Sequence, residues 1–165
     1  MLRFLLQYVR ADFYNPLVQF LVRITNPLLT PLRRFIPGYR GLDLSSVVLA
    51  FILQTIEVLL IAALMGQSIS IAGLLLLAVV ELFKLLINIY LWSIIIQVIM
   101  SWFNPNPYHP AARILAQLTA PLLRPARQML PPISGIDLSP MLVIVVLIFI
   151  SLLIQDFLGM WLGLS

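Results

Sequence analysis

The side chains that could carry chemistry are few and far apart. In 165 residues there are six carboxylates (Asp12, Asp43, Glu57, Glu81, Asp137 and Asp156), one histidine and no cysteine. The missing thiol excludes disulfides, thiolate catalysis and cysteine metal sites. No GxGxxG, phosphate-binding loop, GxSxG or HExxH occurs, so no catalytic, cofactor-binding or metal-ligating set is expected and the chain reads as non-enzymatic. His109 occupies a helix N-cap position. It would serve as one haem or metal ligand only if a partner supplied the other.

One carboxylate stands out by its surroundings. Ser46, Ala50, Gln54 and Glu57 follow one another at +4, +4 and +3 along an apolar run, a small-and-polar stripe of the kind that looks into protein. Glu57 falls about 20 Å into that helix by rise. An ionisable group at such depth is a candidate for intramembrane function; the plainer reading is a neutral or hydrogen-bonded glutamate that helps helices associate. Glu81 and Lys84, three residues apart, read as a self-paired couple at the membrane interface.

The elements that must hold these residues are set by composition. Apolar residues make up 62% of the chain, charged residues 10%, and the mean hydropathy is +1.08. Soluble domains run about 45–50% apolar and about 25% charged, so lipid must be part of the solvent. The net charge is +4, and Lys84 is the only lysine among ten basic residues. With no lysine-rich tail and no basic run interleaved with aromatics, anionic headgroups rather than nucleic acid are the expected counter-charge.

Self-similarity organises the rest. Tyr14–Ser45 aligns without a gap on Tyr108–Ser139 at an offset of 94, with 14 identities in 32 positions, four of them prolines. The chain therefore reads as a tandem duplication, with residues 1–65 as the first repeat and 66–165 as the second. Leu44–Met65 is about 33 Å long as a helix, enough to span a bilayer core of about 30 Å. Ser139 to about Gly163 is a second span. Between them Ile69–Phe103 is too long for one perpendicular crossing; Leu82–Phe103 is expected to span. Ile71–Val80 then forms a re-entrant piece, an interfacial piece or a projecting extension. Gly159 and Gly163 match the small-residue helix contact spacing.

Each repeat carries a loop that reads as an in-plane helix. Asn15 suits an N-cap and Pro16 a first helical position. Leu17, Phe20, Leu21, Ile24 and Leu28 then form an apolar stripe against Gln19, Arg23 and Asn26. Pro110, Ala111, Ile114, Leu115 and Leu118 repeat it against Arg113 and Gln117. Pro27, Pro31 and Pro37, with Pro121, Pro125 and Pro131, are expected to stop these helices and redirect the chain. Gly41-x-Asp43-Leu44-Ser45 and Gly135-x-Asp137-Leu138-Ser139 read as helix starts.

Arg33 and Arg127 share one repeat position and admit two readings. They contact headgroup phosphates, as expected for Arg23, Arg34, Arg113 and Arg124, or they pair with Asp43 and Asp137 and tie the loop to the next span. Because both loops are arginine-rich and Gly66–Ser70 is not, both loops are expected on the cytoplasmic side, which makes the repeat parallel. The expected architecture is all-α: three complete transmembrane helices, a truncated first helix, and an amphipathic interfacial helix in each repeat (104–138 holding the second). The truncation is read from residues 1–13, which match only the tail of the span preceding the second loop. A missing segment of about 15–25 residues is expected upstream.

Asp12-Phe13-Tyr14-Asn15-Pro16, Pro27-Leu28-Leu29-x-Pro31-Leu32-Arg33-Arg34-x-Ile36-Pro37 and their second-copy counterparts resemble the YggT (YlmG-like) integral membrane proteins. The resemblance covers essentially the whole chain, with Ser101-Trp102 fitting as well; family members usually begin with a complete apolar helix. It implies a multi-pass bacterial inner-membrane protein linked to osmotic tolerance and to envelope or division processes, and relatives in cyanobacteria and plastids point to nucleoid or division organisation and cytochrome maturation. It implies no catalytic residue. The expected function is a scaffold or accessory factor with membrane, division or envelope proteins as partners, and homo-oligomers are compatible with it. The alternatives are a small oligomeric transporter or channel with a path near Glu57, and a haem-protein assembly factor.

Overall fold

A computed structural model describes residues 1–36, 38, 42–103, 109–130 and 137–162, with side chains through 158. Among the described residues the chain forms six α-helices: α1 (Leu2–Tyr8), α2 (Pro16–Phe35), α3 (Leu44–Leu64), α4 (Ile71–Phe103), α5 (Pro110–Met129) and α6 (Ser139–Leu162). Three of them are long and apolar enough to cross a bilayer: α3, α4 and the Ser139–Leu158 stretch of α6. The chain divides into two compact units, Met1–Leu86 and Ile87–Ser165.

In the first unit α1 packs on α2 and α3, and α2 packs on α3. Ser45, Ser46 and Ala50 are buried on α3, small enough to let helix backbones approach where packing, not water exclusion, holds helices together. α1 ends in paired bonds from Ala11 N–H to Leu6 O and from Arg10 N–H to Gln7 O, the geometry that usually recruits glycine. Here Arg10 takes the left-handed position at φ 53°. The same pair of bonds closes α3, with Gly66 at φ 66°. In the second unit α5 and α6 pack together, and Ile87, Ile94, Leu123, Ala126, Val143 and Leu147 form the core.

One expectation is corrected. The prolines do not stop the loop helices: α2 runs through Pro27 and Pro31, and α5 through Pro121 and Pro125. A helical proline leaves the carbonyl four residues back without its donor. The spacing of four keeps both losses on one face, and Arg23, Pro27 and Pro31 are exposed there, as are Pro121 and Pro125, so the freed carbonyls are not trapped in a dry core. Pro37 and Pro131, with Gly41 and Gly135, lie outside the described residues.

α4 is one uninterrupted helix of 33 residues, about 50 Å by rise. Ile71–Val80 thus continues the helix of Leu82–Phe103 as an extension of it, one of the three readings left open by the sequence, and forms no separate piece. Its sequence holds no proline and a single glycine, Gly73, near the start, where Ser70 Oγ accepts from the Gly73 N–H. The Glu81–Lys84 pair forms at 2.7 Å within the helix and interrupts nothing.

α2 presents three sides. Val18 and Leu29 are buried, with Leu21, Val22, Thr25 and Leu32 half-buried beside them. Leu17, Phe20, Ile24, Leu28 and Phe35 are exposed, Phe20 at 64%, and Gln19, Arg23, Thr30 and Arg34 are exposed on the remaining side. At 100° per residue these groups each take roughly a third of the circumference. Most of the predicted apolar stripe thus faces away from the protein, and the packed stripe is its neighbour. In α5 the equivalent sector is partly covered, since Leu118 is buried.

Candidate functional site

The polar side chains gather where α2 and α5 end and the following spans begin. In the first unit Asp43, its side chain 4% exposed, accepts at Oδ2 from Arg33 Nη2, and Arg3 Nε lies 3.3 Å from the same oxygen. That Nε makes no hydrogen bond, so its link to Asp43 is an ion pair without bond alignment. Arg3 Nη1 donates to Thr25 Oγ1 at 3.1 Å and Asn26 Oδ1 at 2.8 Å, while the Asp43 N–H donates to Gln7 Oε1 at 3.0 Å. Burial, then repulsion from Arg33, lowers the Arg3 pKa against the pull of Asp43. Two arginines on one carboxylate leave this node with an excess positive charge.

In the second unit Arg127 Nε donates to Asp137 Oδ2 at 2.9 Å, and the Ser139 N–H donates to Asp137 Oδ1 at 3.0 Å. Burial alone would raise the Asp137 carboxyl; bonds from Ser139 and Arg127 outweigh it and hold the group below its ordinary value. The Thr119 hydroxyl bonds the Gln97 amide and the Leu115 carbonyl. Beside this pair lies a cavity of about 360 Å³ whose lining includes Gln97, Ser101, Trp102, Arg127 and Asp137.

Of the two readings of Arg33 and Arg127, the structure forms the ion pairs. The helix-start reading of the serines changes: Ser45 Oγ donates to Ile36 O at 2.8 Å and Ser139 Oγ to Leu130 O at 3.5 Å, so each hydroxyl ties the foot of a span to the end of the preceding helix. Asp43 caps α3 by position but makes no side-chain cap bond, because its carboxylate is turned to the arginines. The other ends follow expectation: Asn15 accepts from the Leu17 N–H, and His109 Nδ1 accepts from the Ala111 N–H.

Sequence reasoning missed Arg3, Gln7, Gln97, Thr25 and Thr119 as site residues. Arg3, the one charge in a mostly apolar α1, was the available signal, since a charge there must find a partner. The stripe on α3 is buried at Ser46, Ala50 and Gln54, as its spacing indicated, and borders a cavity of about 290 Å³ that Arg3 and Thr25 also line. Glu57 is exposed and accepts from Gln54 Nε2. Arg23, Arg34, Arg113 and Arg124 are exposed on α2 and α5.

The CCB3/YggT family profile matches residues 1–64 and 76–158. An uncharacterized protein of Pseudomonas aeruginosa is 45% identical over 156 residues, covering 93% of this chain and 79% of that protein. The uncharacterized protein YggT of Escherichia coli K12 is 37% identical over 175 residues, covering 99% and 90%. Uncharacterized protein ycf19 of Guillardia theta is 40% identical over 57 residues, covering 34% and 63%. No solved structure matches.

Proposed function

This chain belongs to the CCB3/YggT family, and from that premise we propose that it is a non-enzymatic inner-membrane scaffold. It holds two arginine-bearing helices in the plane of the cytoplasmic leaflet and serves envelope, division or osmotic-stress processes as an accessory factor. The observation that carries this reading is the three-sided α2, with one side on the protein, an apolar side open, and Arg23 and Arg34 exposed on the third. An apolar face beside exposed arginines suits a helix lying at the headgroup boundary. The pairing of Arg33 with Asp43 and Arg127 with Asp137 anchors each such helix to the foot of the next span.

The reading includes a tandem origin for the two units. It is supported by features that recur at the sequence offset of 94: the bounds of α2 and α5, the caps Asn15 and His109, the Arg–Asp pairs, and the Ser45 and Ser139 bonds. The test is in-cell photo-crosslinking from position 30, on the exposed polar side of α2. Discrete protein adducts at native expression are expected, and they weaken when Arg23 and Arg34 are replaced by Glu. Adducts to lipid alone would overturn the scaffold.

Glu57 supports a second reading. A carboxylate exposed at mid-span costs about 2.5–3.5 kcal/mol on insertion scales when charged, which favours covering by another helix and a small oligomeric transporter with a path past Gln54 and Glu57. Ion flux in proteoliposomes separates the two. Flux that Glu57→Gln abolishes establishes the path, whereas the scaffold gives none with either protein.

A further inference from the structure

At the offset of 94, Arg3 stands opposite Gln97, Gln7 opposite Ser101, Arg33 opposite Arg127 and Asp43 opposite Asp137. In the first unit the ground beside the carboxylate is filled: Arg3 brings a second cation to Asp43 Oδ2, and Gln7 accepts from the Asp43 backbone. In the second unit Gln97 and Ser101 are shorter and uncharged, and both line the cavity of about 360 Å³ beside Asp137. Among the described residues Asp43 thus meets two arginines and Asp137 one.

We infer that the second-unit cavity binds a guanidinium or primary-ammonium cation, seated as the Arg3 guanidinium is seated in the first unit. Asp137 supplies the counter-charge: its oxygens accept from Arg127 and Ser139, and a carboxylate has about four acceptor sites, so acceptor capacity remains. The Gln97 and Ser101 oxygens can accept from the remaining N–H groups, and the Trp102 ring offers a cation–π face. The volume stands at the lower end of small-ligand sites, which begin near ~300 Å³. Asp137 lies two residues before the span of α6, so the same chemistry can arrive as a soluble cation or as the headgroup of an amine-bearing phospholipid, whose phosphate would meet Arg127. The site rests on the side chains around Asp137, and its likeness to Arg3 rests on the tandem reading proposed above.

The test uses the full chain in phosphatidylglycerol nanodiscs, titrated at constant ionic strength with n-butylguanidinium, the Arg3 side chain cut free. Trp102 fluorescence is the readout in a Trp92→Phe, Trp161→Phe background. A saturable change is expected, with its midpoint weakened about tenfold or more in Asp137→Asn, weakened likewise in Ser101→Leu, which fills the cavity without touching the ion pair, and lost in Gln97→Arg, which supplies the plug. No saturable change, or the parent midpoint in both Asp137→Asn and Ser101→Leu, overturns the site. If Asp137→Asn weakens binding and Gln97→Arg does not, the site stands and the correspondence with Arg3 falls. Adding phosphatidylethanolamine to the nanodiscs identifies the source: a several-fold rightward shift assigns the lipid headgroup, and an unchanged midpoint assigns a soluble cation.

Discussion

Asp43 and Asp137, 94 positions apart in the chain, stand in different surroundings, and the difference sets what each contributes. Asp43 is 4% exposed between two arginines, one of them 10% exposed, whereas Asp137 is 37% exposed beside one arginine. Removing one partner of a buried pair leaves an uncompensated charge and costs about 3–5 kcal/mol, while a solvent-screened pair contributes about 1 kcal/mol or less. Asp43→Asn should therefore lower the apparent melting temperature in detergent far more than Asp137→Asn, and equal losses would refute the assignment. The Asp137 carboxyl is held below its ordinary value, so the fold favours its ionised form. Its contribution is complete above the unfolded pKa and is lost as pH falls through the lower folded one. The melting curves of the parent and Asp137→Asn should converge on acidification, with their separation constant towards neutral pH.

At the scale of the helix, α2 is the element that departs most from its sequence pattern. Pro27 and Pro31 were legible as helix breakers, and a proline in a helix interior does cost about 3 kcal/mol. The helix persists because the bonds lost lie on an exposed face and because its inner face is packed and tied through Thr25 to Arg3. Pro27→Ala should restore a bond to Arg23 O and raise stability by about 1–3 kcal/mol; a fall in melting temperature would mean that the proline bend is itself required for packing. The three-sided arrangement gives a second expectation. A spin label at position 24 should be reached by oxygen from lipid, and one at position 23 by an aqueous nickel chelate. Reversed accessibilities would place α2 outside the interface.

For the molecule as a whole, the arginine distribution predicts sidedness. A cysteine introduced at Gln67 should label from outside with an impermeant reagent and one at Gly38 should not; the opposite pattern would invert the topology. Glu57 belongs to this scale too, because within its own helix Gln54 donates to it while the side chain stays exposed. If the exposed carboxylate is covered by a second copy, a disulfide should form between copies carrying cysteine at position 53 or 60, and its absence under oxidising conditions would argue for a neutral glutamate facing lipid.

Composition and spacing alone set the solvent, the three helices able to cross a bilayer and the family. An apolar run of about 20 residues with at most one or two charges has few other stable places, and proline, arginine and aspartate in one register twice are hard to produce otherwise. The sequence also offered the Arg33–Asp43 and Arg127–Asp137 pairs as one of two readings of those arginines, and the structure forms them. Which side of α2 is packed emerges only in three dimensions, since Val18 and Leu21 are as apolar as Phe20 and Ile24, and periodicity alone cannot choose between adjacent stripes. The tertiary structure also carries Arg3 to Asp43, 40 positions away in the chain, while Gln97 at the matching position stops short and leaves a cavity. That contrast depends on the reach and charge of one side chain against a fold that brings α1 and α3 together, and no local pattern encodes it.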